Sequence, residues 1–268
     1  MTDEAPTLLS ELDDEGVLLL TLNRPEKKNS FREREWDQLA RALDGASADP
    51  RVAVVVLTGA GGLFSSGVDL GSFSEPREPR DDGKPSAFFA AVDAIFACEK
   101  PLLAAVEGIA VGGGATIAMA ADFAYAGEGL RMRLPFANLG LVPEFASSYV
   151  LQMNIGRQRA NEIMFTAEWI DAQRALDLGI VARVLPQGEA LPAMLAKARE
   201  IARWPVSSLV AIKRTMQMGH RQHIAEAREI EDAEMMRLAG SPENIEAITA
   251  FMQKRDPDFK QFRKKDGD

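Results

Sequence analysis

The stretch Gly108-Ile-Ala-Val-Gly-Gly-Gly-Ala-Thr116 decides how this chain is read. An apolar run, residues 102–106, precedes it, and an alanine-rich segment, residues 115–121, follows it. The pattern is a strand, a sharp turn and a helix start. Glycine lets the backbone bend and lets a ligand come close to the amides. The first amides of a helix have no internal acceptor, and the macrodipole adds partial positive charge. Such a turn can hold a phosphate, stabilise an oxyanion, or pack a strand tightly on a helix. A second stretch of the same design lies upstream. Leu57-Thr-Gly-Ala-Gly-Gly-Leu-Phe-Ser-Ser-Gly-Val-Asp-Leu70 follows the β-branched run 52–57. Two such turns in one domain can each offer an amide to the same oxygen.

Around these turns the chain reads as alternating strands and helices. Residues 17–22, 52–57, 102–109, 123–126 and 131–134 carry strand patterns. Residues 33–43, 88–96 and 115–121 carry helical ones. This alternation indicates α/β architecture. After Leu185 the chain becomes almost wholly helical, with segments 188–204, 207–219, 222–238 and 242–251. Met216, Met218, Met235 and Met236 fall there, as expected for a core or a subunit contact. Residues 75–85 are charged and proline-rich and read as a mobile loop.

Composition narrows the function classes. The chain has 268 residues, 46% of them hydrophobic. That supports a sizeable core, in one large domain or a domain with an appendage. A net charge of −9 argues against a broad nucleic-acid or anionic-membrane surface, but leaves room for a local basic pocket. No uncharged apolar run approaches the roughly 20 residues of a membrane span. Cys98 is alone and suits a reducing, cytoplasmic setting, where it packs as a small apolar residue. The acidic first residues read as no leader, and Lys264-Lys-Asp-Gly-Asp268 as no peroxisomal address. Two histidines and one cysteine provide no metal-ligand spacing, so no metal is expected. A nucleophilic Ser66 would need a base beside it. His220 and His223 lie far along the chain and read as surface residues.

Phe64-Ser-Ser-Gly-Val-Asp-Leu70 and Ala105-Val-Glu-Gly-Ile-Ala-Val-Gly-Gly-Gly114 resemble the paired signatures of the crotonase (enoyl-CoA hydratase/isomerase) superfamily. Leu22-Asn-Arg-Pro-Glu-Lys-Lys-Asn29 resembles that family's N-terminal coenzyme A segment. The resemblance runs from about residue 18 to residue 259. It implies a spiral of ββα units with a C-terminal helical trimerisation region. Residues 1–205 would carry the acyl-CoA site, and residues 206–268 would form trimers or hexamers. It implies an acyl-CoA thioester as substrate, with no separate cofactor and no nucleic-acid or membrane partner. It also implies an oxyanion hole for the thioester carbonyl, with the amides of Ser66 and Gly113 as donors. Lys27, Lys28 and Lys254 become candidate contacts for coenzyme A, with its adenine near the backbone of Val68 and Asp69. Loop 74–86 would lie near the acyl pocket as a candidate lid.

The acid/base group follows from the same comparison. Hydratases of the family carry two glutamates; the matching positions here are Thr116 and Phe136. Hydration needs groups that activate water and handle its protons, so that pair cannot supply it. The segment Leu134-Pro-Phe-Ala-Asn-Leu-Gly-Leu-Val-Pro-Glu-Phe-Ala-Ser-Ser-Tyr149 instead resembles Δ3,Δ2-enoyl-CoA isomerases, whose catalytic glutamate sits in a Pro-Glu step followed by Ser-Ser. Glu144 is that glutamate here. An acidic residue in the first turn of the helix expected from residue 146 is the plainer reading. The resemblance implies an enoyl-CoA isomerase in which Glu144 moves a proton from C2 to C4. Another acyl-CoA reaction, such as hydration or dienoyl isomerisation, is the next reading. A non-catalytic acyl-CoA-binding scaffold is the third.

Overall fold

A computed structural model describes residues 6–69, 71–72 and 83–263. Its main sheet has six strands. In order they are β1 (Leu8–Leu12), β2 (Val17–Leu22), β3 (Val54–Gly59), β4 (Leu102–Val106), β6 (Phe123–Gly127) and β9 (Arg183–Leu185). Only β1 runs antiparallel to its neighbour. A second sheet joins β5 (Ile109–Val111), β7 (Arg131–Arg133) and β8 (Trp169–Asp171). Parallel strands covered on both faces are continuously apolar, which is why Val54, Val55, Val56 and Leu57 are all buried.

One face of the main sheet packs under α1 (Glu33–Ala48), α2 (Ala87–Ala97) and α3 (Gly113–Ala120). The other packs on α7 (Ala190–Ala202), where Met194 and Ala198 meet Val54, Val56, Leu103 and Tyr125. The chain twice leaves the main sheet for the small one, from β4 into β5 and from β6 into β7. The parallel pairs β4–β6 and β5–β7 stack these turns as ββα repeats. The α/β class and its spiral are therefore as expected.

The continuous strand expected over residues 102–109 is two strands in two sheets. Gly108 makes the corner, at φ +59°, where an added Cβ would sit 2.6 Å from the Gly62 carbonyl oxygen. Five elements went unread in the sequence: β1, α5 (Arg157–Thr166), β8, α6 (Ala172–Leu178) and β9, of which the strands and α6 are too short to carry a usable period. Cys98 is buried, as its apolar reading required.

The tail forms α8 (Val206–Gln217), α9 (Arg221–Leu238) and α10 (Pro242–Met252). It folds back onto α4 (Ser147–Ile155) and the turn before it. Asn244 of α10 donates to the Leu139 carbonyl at 2.7 Å, and Lys213 of α8 to the Lys100 carbonyl at 2.9 Å. No helix among the described residues is long and apolar enough to cross a membrane. Residues 74–82 of the candidate lid lie outside the described residues.

Candidate functional site

Two glycine turns meet at the C-terminal edge of the main sheet. The first, residues 64–69, is held by the loop that follows β2. Asn29 donates to the carbonyls of Ala60 and Leu63 at 2.9 and 2.8 Å. Ser65 Oγ donates to Asn29 O at 2.8 Å and accepts the Gly67 N–H at 3.0 Å. The buried Arg24 donates to Ser30 O at 2.7 Å and to Asp69 Oδ2 at 3.2 Å. The second turn leaves β5 at Val111, whose N–H donates to Ser65 O at 3.0 Å. It then enters α3 at Gly113.

The close approach of the turns explains the glycines. A Cβ on Gly67, at φ +80°, would lie 2.5 Å from Val111 O and 2.9 Å from Gly113 N. A Cβ on Gly114 would lie 2.3 Å from Ser65 O. Only hydrogen fits at either place.

The amides of the first turn have defined partners. Phe64 N–H donates to Glu107 O, Ser65 N–H to Ile109 O, Ser66 N–H to Lys28 O and Asp69 N–H to Phe31 O, at 2.8 to 2.9 Å. The Val68 N–H has no acceptor among the described residues. Gly113 N–H, as the first helical amide of α3, has none either. This corrects the expected donor pair. The Ser66 amide already serves the Lys28 carbonyl, so the free donors are those of Val68 and Gly113. The Ser66 hydroxyl has no partner among the described residues, and Ser66→Ala is expected to leave turnover within about threefold of the parent. A loss beyond tenfold in steady-state assays would give that hydroxyl a role it lacks here.

Glu144 stands beside the second donor. Its Oε1 lies 3.3 Å from the position of a Cβ on Gly113, and the Trp36 ring edge lies 3.2 Å from the same point. Phe145 and Ala146 follow Glu144 at φ +60° and +51°. Two successive non-glycine residues in the left-handed region are costly and are found where a side chain must be aimed. Trp36 stacks on Phe31 at 3.9 Å, and Phe88 meets both Trp36 and Phe145 edge-on, at 5.3 and 5.2 Å. This aromatic wall dries the space next to the carboxyl. Glu144 is half-buried by surface area, yet protein surrounds its carboxyl closely enough to strip most of its hydration. Desolvation first, and the charge of Glu231 second, push its pKa up to about 8.

Glu231 was not singled out in the sequence. It is 4% exposed and lies on α9, where Ile224 and Ala227 also turn inward. The spacing of those three residues marks a helix face, and an acid on an otherwise apolar face was the available signal. Its Oε1 accepts the Ser148 N–H at 2.8 Å.

The remaining candidates divide. Lys27 and Lys28 are exposed beside the first turn, and Lys28 holds it through its carbonyl. Lys254 is exposed beyond the end of α10, and nothing among the described residues joins it to the turns. The Asp69 amide and carboxylate both serve the fold, so Asp69 offers no free amide to a nucleotide. Thr116 is buried, with its hydroxyl donating to Gly113 O at 3.1 Å, and Phe136 is buried in the core. His223 is exposed, but His220 is half-buried with Nδ1 2.9 Å from the Tyr149 hydroxyl, which corrects its surface reading. No group of metal-ligating side chains occurs among the described residues.

A family model described as Enoyl-CoA hydratase/isomerase matches residues 13–263. The 2,3-dehydroadipyl-CoA hydratase of Escherichia coli is 34% identical over 246 residues, 91% of this chain and 95% of that protein. The 1,2-epoxyphenylacetyl-CoA isomerase of the same species is 31% identical over 251 residues, 92% of this chain and 95% of that protein. A crystal structure of an enoyl-CoA hydratase/isomerase from Pseudoalteromonas atlantica superposes with a TM-score of 0.90 at 33% identity. It covers 95% of this chain and all of that one.

Proposed function

The chain belongs to the enoyl-CoA hydratase/isomerase family of the crotonase superfamily, acting on acyl-CoA thioesters, and from that premise we propose that it shifts the double bond of a 3-enoyl-CoA to the 2-position. One observation carries the reading: a desolvated Glu144 carboxyl beside the Gly113 amide, which like that of Val68 has no acceptor among the described residues. The thioester oxygen is held by the N–H groups of Val68 and Gly113. Glu144 takes a proton from C2, and the electron pair spreads into a dienolate whose oxygen bears the negative charge. The protonated Glu144 then returns its proton at C4, and the double bond forms between C2 and C3. Atoms and charge balance without a cofactor. One carboxyl serves both carbons because they lie on one face of a planar dienolate.

A raised pKa suits this shuttle, since a base near the working pH both accepts and returns a proton well. Only the carboxylate can take the C2 proton, so activity rises with pH. The rising limb of kcat/KM for a 3-enoyl-CoA is expected near pH 8. A limb at the ordinary carboxylate range, below pH 5, would show that Glu144 is not desolvated during turnover.

The hydratase reading draws on the name of the adipyl relative. It requires a second acid at C3, where Thr116 and Phe136 offer none. Incubation with 3-enoyl-CoA and 2-enoyl-CoA, followed by product analysis, separates the readings. A 2-enoyl product supports isomerisation, a 3-hydroxyacyl product supports hydration, and neither product supports a binding scaffold. Lys27 and Lys28 fit the coenzyme A phosphates. The exposed Met216, Met218, Ile230 and Met236 fit an oligomer contact formed by residues 206–268. Sedimentation of the purified protein reads the subunit number.

A further inference from the structure

Glu231 is the one buried residue of α9. Burial of a carboxylate is expensive unless a cation or several donors accompany it. Arg228, one turn earlier on the same helix, directs its guanidinium to Asp93 of α2 instead. Glu231 Oε1 takes the Ser148 N–H, at the start of α4. Its Oε2 is shielded from solvent and has no hydrogen-bond partner among the described residues, and neither has the neighbouring buried Ser147 Oγ. The Ser147 N–H in turn donates to the Glu144 carbonyl at 3.0 Å. The turn that aims Glu144 is thus clamped from behind by a second acid.

We propose that Glu231 is a positioning residue for Glu144, which fixes the 144–148 turn through the Ser148 amide and shares one negative charge with the Glu144 carboxyl across that turn. The proposal rests on the reading of Glu144 as the base. The other ionisable groups where these elements meet are accounted for. Tyr149 of α4 is bonded to His220, Asp93 of α2 is held by Arg228 and Lys84, and Asp232 follows Glu231 on α9. Tyr149 and Asp93 pair with neither glutamate, whereas the Asp232 carboxylate repels Glu231 from the same helix. Arg228 lies within electrostatic reach of Glu231 but bonds Asp93, so it offsets only part of the cost of ionising two desolvated acids, and they titrate as a coupled pair. Burial raises Glu231 as well, the Ser148 and Ala146 groups pull it back, and the Asp232 charge pushes it up again, while Glu144 has no such hydrogen bonds to hold its charged form.

The test is Glu231→Gln, which keeps an oxygen for the Ser148 N–H and removes the charge. The rising limb of kcat/KM is expected to move to lower pH by about one unit, with KM within about twofold and thermal stability near that of the parent. Superimposable pH profiles would overturn the proposal. If the glutamine variant does not fold, Glu231→Asp, which withdraws the charge by one methylene, is expected to move the limb the same way by a smaller step. A second measurement needs no turnover. Infrared difference spectra between the parent and Glu144→Gln isolate the Glu144 carboxyl, and the same difference taken in the Glu231→Gln background should titrate at lower pH. A shift there without isomerase activity would support the coupling while refuting the isomerase reading. An unmoved titration would sink the coupling whatever the activity.

Discussion

Glu144→Gln is expected to lower kcat for double-bond migration about 1,000-fold, within the range a positioned general base contributes. Glutamine keeps the size and planarity of the side chain, so the contacts at Gly113 and Trp36 survive. It cannot accept the C2 proton or return one at C4. Thioester affinity should stay within a few-fold, because the carbonyl is held by backbone amides that the substitution does not touch. Stopped-flow measurement of dienolate formation, together with equilibrium binding of a saturated acyl-CoA, would separate the two effects. Retained turnover would remove Glu144 from the chemistry. Stability adds an independent sign. The Glu144 pKa is raised in the folded state, from 4.5 to about 8, so the folded protein binds a proton that the unfolded chain releases. Its contribution is complete below pH 4.5 and is lost as pH rises through 8. Glutamine has no proton to lose. The glutamine variant should therefore gain on the parent by a few degrees in Tm, about 2–4 °C per kcal/mol, between acidic and alkaline buffer.

Gly67→Ala is expected to be the most damaging backbone change at the site. Its methyl would enter within 2.5 Å of Val111 O and 2.9 Å of Gly113 N, so the two turns must part. Parting them separates the Val68 and Gly113 amides, and losing one oxyanion donor typically costs about 3 kcal/mol of barrier. A fall in kcat of about 100-fold or more follows, with a loss of roughly 1–3 kcal/mol in folding stability from the φ of +80°. Gly62→Ala is the matched control. Gly62 has φ +70°, but a Cβ there meets nothing within 4 Å. It should show the backbone cost without the loss of turnover. Equal kinetic damage in both variants would mean that general instability, rather than the contact between turns, governs activity.

Much of the fold was readable because its signals are local. β2 (Val17–Leu22) and α10 (Pro242–Met252) fall within a residue of where their patterns place them. The triple glycine marked the start of α3, since only glycine allows both the bend and the approach of Ser65 O. The Pro-Glu step and its Ser-Ser singled out Glu144 just ahead of α4. Short pieces such as β8 and β9 were missed because three residues carry no usable period. The strand break at Gly108 was missed because an apolar run reads alike in one sheet or two.

The donor error has a different origin. Ser66 and Val68 flank the same glycine, and nothing in their side chains tells which amide is free. The Lys28 carbonyl decides it, by reaching Ser66 from another loop. The same holds for Glu231, which approaches Glu144 from the far end of the chain. Residue type restricts the local backbone, so the sequence by itself determined the two glycine turns and the alternating sheet, and its family resemblance marked Glu144 as the candidate acid. Hydrogen-bond saturation and desolvation are set by whichever distant atoms fold alongside. Only the tertiary structure could therefore decide which nitrogens remain unpartnered, how far the Glu144 proton is held above its ordinary range, and that a second carboxyl stands behind it.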